Sequence, residues 1–154
     1  MKIGVDFTVF REFIKLKKEG QKTFIFDPIR KKYLVLAPEE LVRQMVIQYL
    51  LNDKEVPKTR IGIEKGLTVN TLSKRCDILI YNKEMTPTLL IECKAPKVAI
   101  NDKVFEQIAR YNLPLKVQFL LVTNGISTYC CKMDYDNQRY TFLNEIPSWK
   151  ESQS

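Results

Sequence analysis

Asp77, followed fifteen positions later by Glu92 and then Lys94, forms the residue set in this chain best suited to chemistry. Alternate side chains on a β-strand share a face, so Glu92 and Lys94 are expected on the same side of one strand. The surrounding runs, residues 76–81 and 88–94, are apolar and read as strands inside a sheet, where a charged side chain needs a partner. Two carboxylates and a lysine converging on neighbouring strands suggest a metal site with a cationic helper, and that is the chemistry of phosphodiester cleavage. A divalent cation offsets the negative charge that repels nucleophiles from a phosphodiester and makes water more acidic. Magnesium, with manganese as a substitute, prefers carboxylate and carbonyl oxygens. Asp77 and Glu92 supply two anions, and the backbone carbonyl of Cys93 is the natural third ligand. Lys94 would orient or deprotonate the attacking water, or neutralise the pentavalent phosphate. The sequence leaves these roles open.

Composition narrows the options. The 154 residues contain no histidine, which excludes serine–histidine and cysteine–histidine triads and histidine-ligated metals. The four cysteines, Cys76, Cys93, Cys130 and Cys131, form no CxxC pair, so a structural zinc site is not expected. Cys76 and Cys93 adjoin candidate site residues and, on strands, point the other way; they read as buried small hydrophobes rather than nucleophiles. No phosphate-binding loop of the Gly-x-x-x-x-Gly-Lys-Ser/Thr type occurs, so no nucleotide cofactor and no motor are expected on this chain. The net charge of +7 and pI near 9.2 favour a polyanionic partner. Apolar stretches are too short to cross a bilayer, and the first residues do not read as a signal peptide, which leads to the expectation of a cytoplasmic protein without a membrane partner.

The elements that must position these residues follow from periodicity. Residues 12–36 read as an N-terminal antiparallel hairpin or meander, with lysines 15, 17, 18, 22, 31 and 32 and Arg30 clustered around it as a solvated face or a phosphate track. Pro38 opens a helix with Glu39 and Glu40 at its positive end and an apolar stripe of Leu41, Val42, Met45, Val46, Tyr49 and Leu50. Glu40, Arg43, Gln44 and Ile47 fall off that stripe, and Ala37 leaves the helix without a side-chain cap. Residues 59–69 form the first core strand, and the two motif strands follow. Residues 102–112 form a helix with Val104, Ile108 and Tyr111 along one side, stopped by Pro114. Residues 116–123 form a strong core strand, Asn124-Gly125 turns the chain, and 127–132 pairs with 140–143. The polar tail from Ser148 is expected to fray. This order predicts one domain over 1–154, comprising a hairpin at 12–36, a core at 37–125 and an antiparallel extension at 126–147. The fold class is α/β (α+β), a mixed central sheet flanked by helices.

Five ordered blocks then carry a resemblance: Pro38-Glu39-Glu40-Leu41-Val42-Arg43-Gln44, Arg75-Cys76-Asp77, Ile91-Glu92-Cys93-Lys94-Ala95-Pro96, Gln107-Ile108-Ala109-Arg110-Tyr111 and Thr123-Asn124-Gly125. Across 26–132 the chain resembles the PD-(D/E)xK nuclease superfamily, and more closely the N-terminal nuclease domain of the type I restriction enzyme R subunit. The resemblance implies a restriction-endonuclease-like αβββαβ core and a magnesium-dependent deoxyribonuclease, an endonuclease first and an exonuclease second, acting in restriction–modification. It implies Asp77 and Glu92 as metal ligands, Lys94 as catalytic lysine, and a role for the Gln107 and Tyr111 pair. It also implies a first-helix glutamate at the metal centre, with Glu40 the first candidate and Glu39 the second. DNA is the implied partner, with a separate motor or specificity subunit, and a homodimer is compatible with it. Cys76 stands where the superfamily name has proline, and ATP-driven cleavage does not carry over without a motor. The alternative is a nucleic-acid-binding or assembly module that keeps the nuclease fold without cutting.

Overall fold

The computed structural model describes residues 2–149. A 3-10 helix, Phe7–Phe13, precedes a three-stranded antiparallel meander of β1 (Leu16–Glu19), β2 (Lys22–Asp27) and β3 (Lys32–Val35). The expected strand content from residue 12 begins later, because residues up to Phe13 belong to this helix, whose first turn Asp6 caps by accepting from the Thr8 N–H at 2.9 Å. Helix α1 (Pro38–Asn52) begins as expected, with Pro38 in its first turn, Glu39 and Glu40 at the positive end of its dipole, and no side-chain cap at Ala37.

The main sheet has six strands in sequence order: β4 (Ile61–Val69), β5 (Leu72–Tyr81), β6 (Pro87–Cys93), β7 (Phe119–Thr123), β8 (Thr128–Asp134) and β9 (Arg139–Phe142). Every pairing is antiparallel except β6 with β7. That parallel pair needs a crossover, which helix α2 (Asp102–Asn112) provides. Asn101 starts α2 by accepting from the Val104 N–H at 2.9 Å. The order α1–β4–β5–β6–α2–β7 is the expected αβββαβ core, and β8–β9 is the antiparallel extension. The end of the expected frayed tail, residues 150–154, lies outside the described residues. Among the described residues no helix is long and apolar enough to cross a membrane.

The sheet separates two apolar cores. Leu89, Ile91, Cys93, Phe119 and Leu121 face α1, while Leu90, Leu120 and Val122 face α2. This is the period-two alternation of β6 and β7. Both helices differ from their sequence patterns. Helix α1 buries Arg43, Gln44 and Ile47 as well as its apolar stripe, because it is covered on more than one side. Phe7 and Phe10 pack edge-on against Tyr49, with centroids at 5.1 and 5.5 Å. Helix α2 buries Phe105, Ala109 and Asn112 and leaves Tyr111 exposed, a face rotated from the expected Val104, Ile108 and Tyr111. Phe105 wins that position by joining Tyr129, Tyr140 and Phe142 in an aromatic cluster with centroids 5.2–5.8 Å from its own.

Alternation slips on β5 next to Asp77. Ile78 and Ile80 belong to the α1 core, yet Cys76 belongs to the α2 core, as does the flanking Leu72. An even-numbered set has changed face between 76 and 78. Strand β4 slips opposite it: Ile61 and Ile63 face α1, whereas Leu67 and Val69 face α2. Ile63 pairs with Ile78 and Lys65 with Cys76, leaving Glu64 and Asp77 between them, with Glu64 at a φ of +51°. Asp77 therefore stands where the sheet is locally irregular.

The Thr123-Asn124-Gly125 block makes the turn after β7. Asn124 accepts from the Ile126 and Ser127 N–H groups at 2.9 and 2.7 Å and donates to the Val98 carbonyl at 2.8 Å, tying the loop after β6 to this turn. Gly125 has φ +90°, and a Cβ there would lie 3.4 Å from Val42 Cγ2 of α1. Gly125→Ala is expected to lower stability by about 1–2 kcal/mol, from the backbone conformation alone, as read by urea unfolding.

Candidate functional site

The expected site residues gather around the end of the β5–β6 pair, in two groups joined by one peptide. The ladder stops at Ile78↔Ile91. Beyond it the Cys93 N–H donates to Asp77 Oδ2 at 2.7 Å, so a side chain replaces the missing ladder partner. Asp77 Oδ1 accepts from Arg43 Nη2 of α1 at 3.3 Å. The same guanidinium donates through Nη1 to Glu40 Oε1 at 2.7 Å, and Gln44 Nε2 donates to Glu40 Oε2 at 3.0 Å. Glu40 and Asp77 thus share Arg43. Glu39, the second candidate on this helix, reaches the same guanidinium only at 3.8 Å and is half exposed.

Glu92 lies on the α2 side of the sheet. It is buried and forms an ion pair with Lys74 of β5. Lys74 also donates to Asn112 Oδ1 at 2.7 Å and sits 4.8 Å from the centre of the Tyr111 ring. A cavity of about 320 Å³ opens here, lined by Glu92, Lys94, Lys74, Gln107, Tyr111 and Asn112 among others. Glu92 and Lys94 share this cavity, as strand alternation requires, and Gln107 and Tyr111 reach it from one side of α2. The Lys94 N–H donates to the Thr123 carbonyl at 2.8 Å, which fixes the backbone just past β6. Larger hollows of about 590 and 900 Å³ open around Lys116 and Tyr135 and contain none of Asp77, Glu92 or Lys94.

The structure thus brings Glu92, Lys94, Gln107 and Tyr111 together, and Glu40 with Asp77. The two carboxylates of the motif meet different cations. The slip on β5 explains this: continued alternation from Ile78 would send Asp77 to the α2 side with Glu92, whereas Asp77 instead bonds in the sheet plane and toward α1. Sequence reasoning missed Lys74, Asn112 and the burial of Arg43. Lys74 carried one signal, its place two residues before Cys76 on the same strand face.

A hard cation requires oxygen donors. Among the described residues no three His, Cys, Asp or Glu side chains cluster to hold a metal ion. The donors available are two carboxylates, Asp77 and Glu92, and the Cys93 carbonyl between Glu92 and Lys94. By chemistry this lean oxygen set suits magnesium, which keeps several waters of its own. Sulfur takes no part. Burial pushes the Cys76 thiol up to about 11 and the fully enclosed Cys93 thiol well above its ordinary value, with Asp77 adding to the latter.

An ion network ties this site to the meander. Arg30 donates to Asp27 Oδ2 at 2.7 Å and to Glu64 Oε2 at 3.0 Å, and lies 3.5 Å from Glu40. Burial works against the charge on Arg43, but Glu40, Asp77 and Glu64 outweigh it and raise its pKa. Asp27 is fully buried. Burial pushes its pKa upward, but bonds from the Arg30 backbone and side chain, from Gln44 and from the Ile29 N–H prevail and hold it below the ordinary value.

A family model described as type I restriction enzyme R protein N terminus (HSDR_N) matches residues 38–147. A search of curated proteins finds no match.

Two outcomes follow from these contacts. Lys74→Met should lower stability by about 3 kcal/mol, since it strands a buried carboxylate, and Glu92→Gln added to it should recover part of that loss in a denaturant double-mutant cycle. A carboxyl with a lowered folded pKa stabilises fully above its unfolded pKa, about 4, and loses that contribution as pH falls through the folded value. Asp27→Asn should therefore flatten the acid limb of the stability curve below about pH 4, measured by thermal melts across pH.

Proposed function

The chain belongs to the type I restriction enzyme R protein N-terminal family, and from that premise we propose that it is a magnesium-dependent DNA endonuclease domain. The observation that carries the reading is the junction at Cys93. Its N–H holds Asp77, while Glu92 and Lys94 on either side of it line one cavity with Gln107 and Tyr111.

Asp77, Glu92 and the Cys93 carbonyl would hold the ion. Magnesium, when bound, would neutralise phosphate charge and acidify the attacking water. The chain's own residues then act as follows. Lys94 Nζ offsets negative charge growing on the phosphate oxygens and orients the water, a gain that is large in a site built in advance. Gln107 and Tyr111, four apart on α2, contact the DNA backbone on the rim of the cavity. Lys74 fixes the direction of the Glu92 carboxylate, and Arg43 does the same for Asp77, with Glu40 holding Arg43 from behind. A motor or specificity subunit would deliver the DNA, and the domain itself would act inside the cell.

One observation favours a second reading. Asp77 and Glu92 are each already matched by a cation, Arg43 and Lys74, as in a module that retains the fold to bind DNA or to assemble without cutting.

Supercoiled plasmid decides between the two, because a closed circle has no end for an exonuclease. The wild-type chain should relax it in magnesium or manganese and stop on chelation, and Asp77→Asn or Lys94→Ala should reduce the rate at least about 100-fold. Intact plasmid with both ions, or equal cutting by the variants, would sink the nuclease reading. Chelator-insensitive DNA binding without cutting would support the second.

A further inference from the structure

The match to the R-protein family begins at residue 38, so it leaves the meander without an assignment. That segment holds most of the chain's net charge. Residues 15–36 contain seven basic residues against two acidic ones, a net +5 of the whole chain's +7. Arg30 and Asp27 neutralise each other on the inner side, so the excess lies with the lysines.

Register shows what the outer side presents. Lys17 pairs with Phe24, which pairs with Val35, and Phe26 pairs with Tyr33. Lys15 extends the second row through its carbonyl, which accepts from the Phe26 N–H at 3.0 Å. Alternation puts these six side chains on one face, opposite the buried Ile25 and Asp27. Val35 is 57% exposed and Tyr33 38%. The Phe26 and Tyr33 rings lie 5.1 Å apart, with Lys17 4.5 Å from the Tyr33 ring centre and Lys15 5.9 Å from that of Phe26. Phe24 and Phe26 are half-buried, Phe26 and Lys15 bordering a hollow shared with Gln48 and Leu51 of α1, and a sheet face that sets rings beside lysines is matched to unpaired bases on a phosphate chain. Rings stack on bases of any sequence, while ammonium groups meet the phosphates. A duplex would engage the lysines and leave the rings unused.

We propose that the outer face of β1–β3 is a docking platform for single-stranded DNA. The choice of DNA rests on the nuclease reading; the single-strandedness rests on the rings. The inner face of the same meander carries Asp27, which holds Arg30 against Glu40 and Glu64, so a strand on the platform is held in fixed relation to Arg43 and Asp77.

Fluorescence anisotropy with labelled oligothymidine, a DNA duplex and oligouridine tests this on the full chain in chelator, where no cutting intervenes. Tyr33→Ala should weaken oligothymidine binding about tenfold and leave duplex binding unchanged. Lys15→Ala with Lys17→Ala should lower the slope of log affinity against log salt by about 1.4. Both variants should melt like wild type, since these side chains are on the outside. Oligothymidine binding unaltered by either variant, equal losses on duplex and single strand, or tighter binding of oligouridine would each overturn the proposal. If the platform binds as expected while plasmid stays intact in magnesium, this inference stands and the nuclease reading falls. Plasmid cutting with a platform indifferent to both variants gives the reverse.

Discussion

The hydrogen bond from the Cys93 N–H to Asp77 Oδ2 is the constraint around which the site is arranged. A strand that continued its ladder would spend that N–H on a neighbouring carbonyl. Here the ladder ends at Ile78↔Ile91, and the donor, which is buried and must be satisfied, takes a carboxylate instead. This is possible because β4 and β5 slip at Glu64 and Asp77. The slip changes which face every residue toward the hairpin turn occupies. It carries Lys74 and Cys76 to the α2 side, so the lysine that grips Glu92 depends on the same irregularity that frees Asp77. One local defect therefore sets both carboxylates.

The two arginines extend this arrangement across the molecule. Arg43 links α1 to β5 through Glu40 and Asp77, and Arg30 links the meander to α1 and β4 through Asp27, Glu40 and Glu64. Glu40 is common to both. Because all these groups are largely buried, removal of one leaves another charged and unmatched, so they hold position as a set. The meander is thereby more than an appendage: its inner face is part of the support for the first helix.

Much of this was legible in the sequence. The apolar runs around Asp77 and Glu92 gave the central strands, because a strand buried on both faces reads as a nearly continuous hydrophobic stretch. The two-residue spacing of Glu92 and Lys94 gave their shared side. What stayed hidden depends on partners distant in sequence. Arg43 falls off the apolar stripe of α1, and nothing local indicates that Asp77 of β5 and Glu64 of β4 will meet it there. Phe105 enters the core of α2 only because Tyr129, Tyr140 and Phe142 wait for it on β8 and β9. Lys74 looks like any strand lysine until the slip turns it inward. Periodicity assumes an unbroken strand, and it fails beside Asp77, where the strand is broken.

Buried ion pairs are weak sources of stability, since well-packed apolar residues of similar volume often do as well or better. The pairs Arg43–Asp77 and Lys74–Glu92 therefore need a reason beyond holding the fold together. Charge distribution supplies one. A phosphate chain drawn to the lysine-rich surface by long-range attraction would be repelled at close range by bare carboxylates. Each motif acid here stands against its own cation, so the local negative charge is offset while the oxygens stay aligned. On the proposed nuclease reading, the arrangement would let these carboxylates serve as ligands beside a polyanion without excluding it, and an apolar replacement, however stable, would remove both the carboxylate and the compensation.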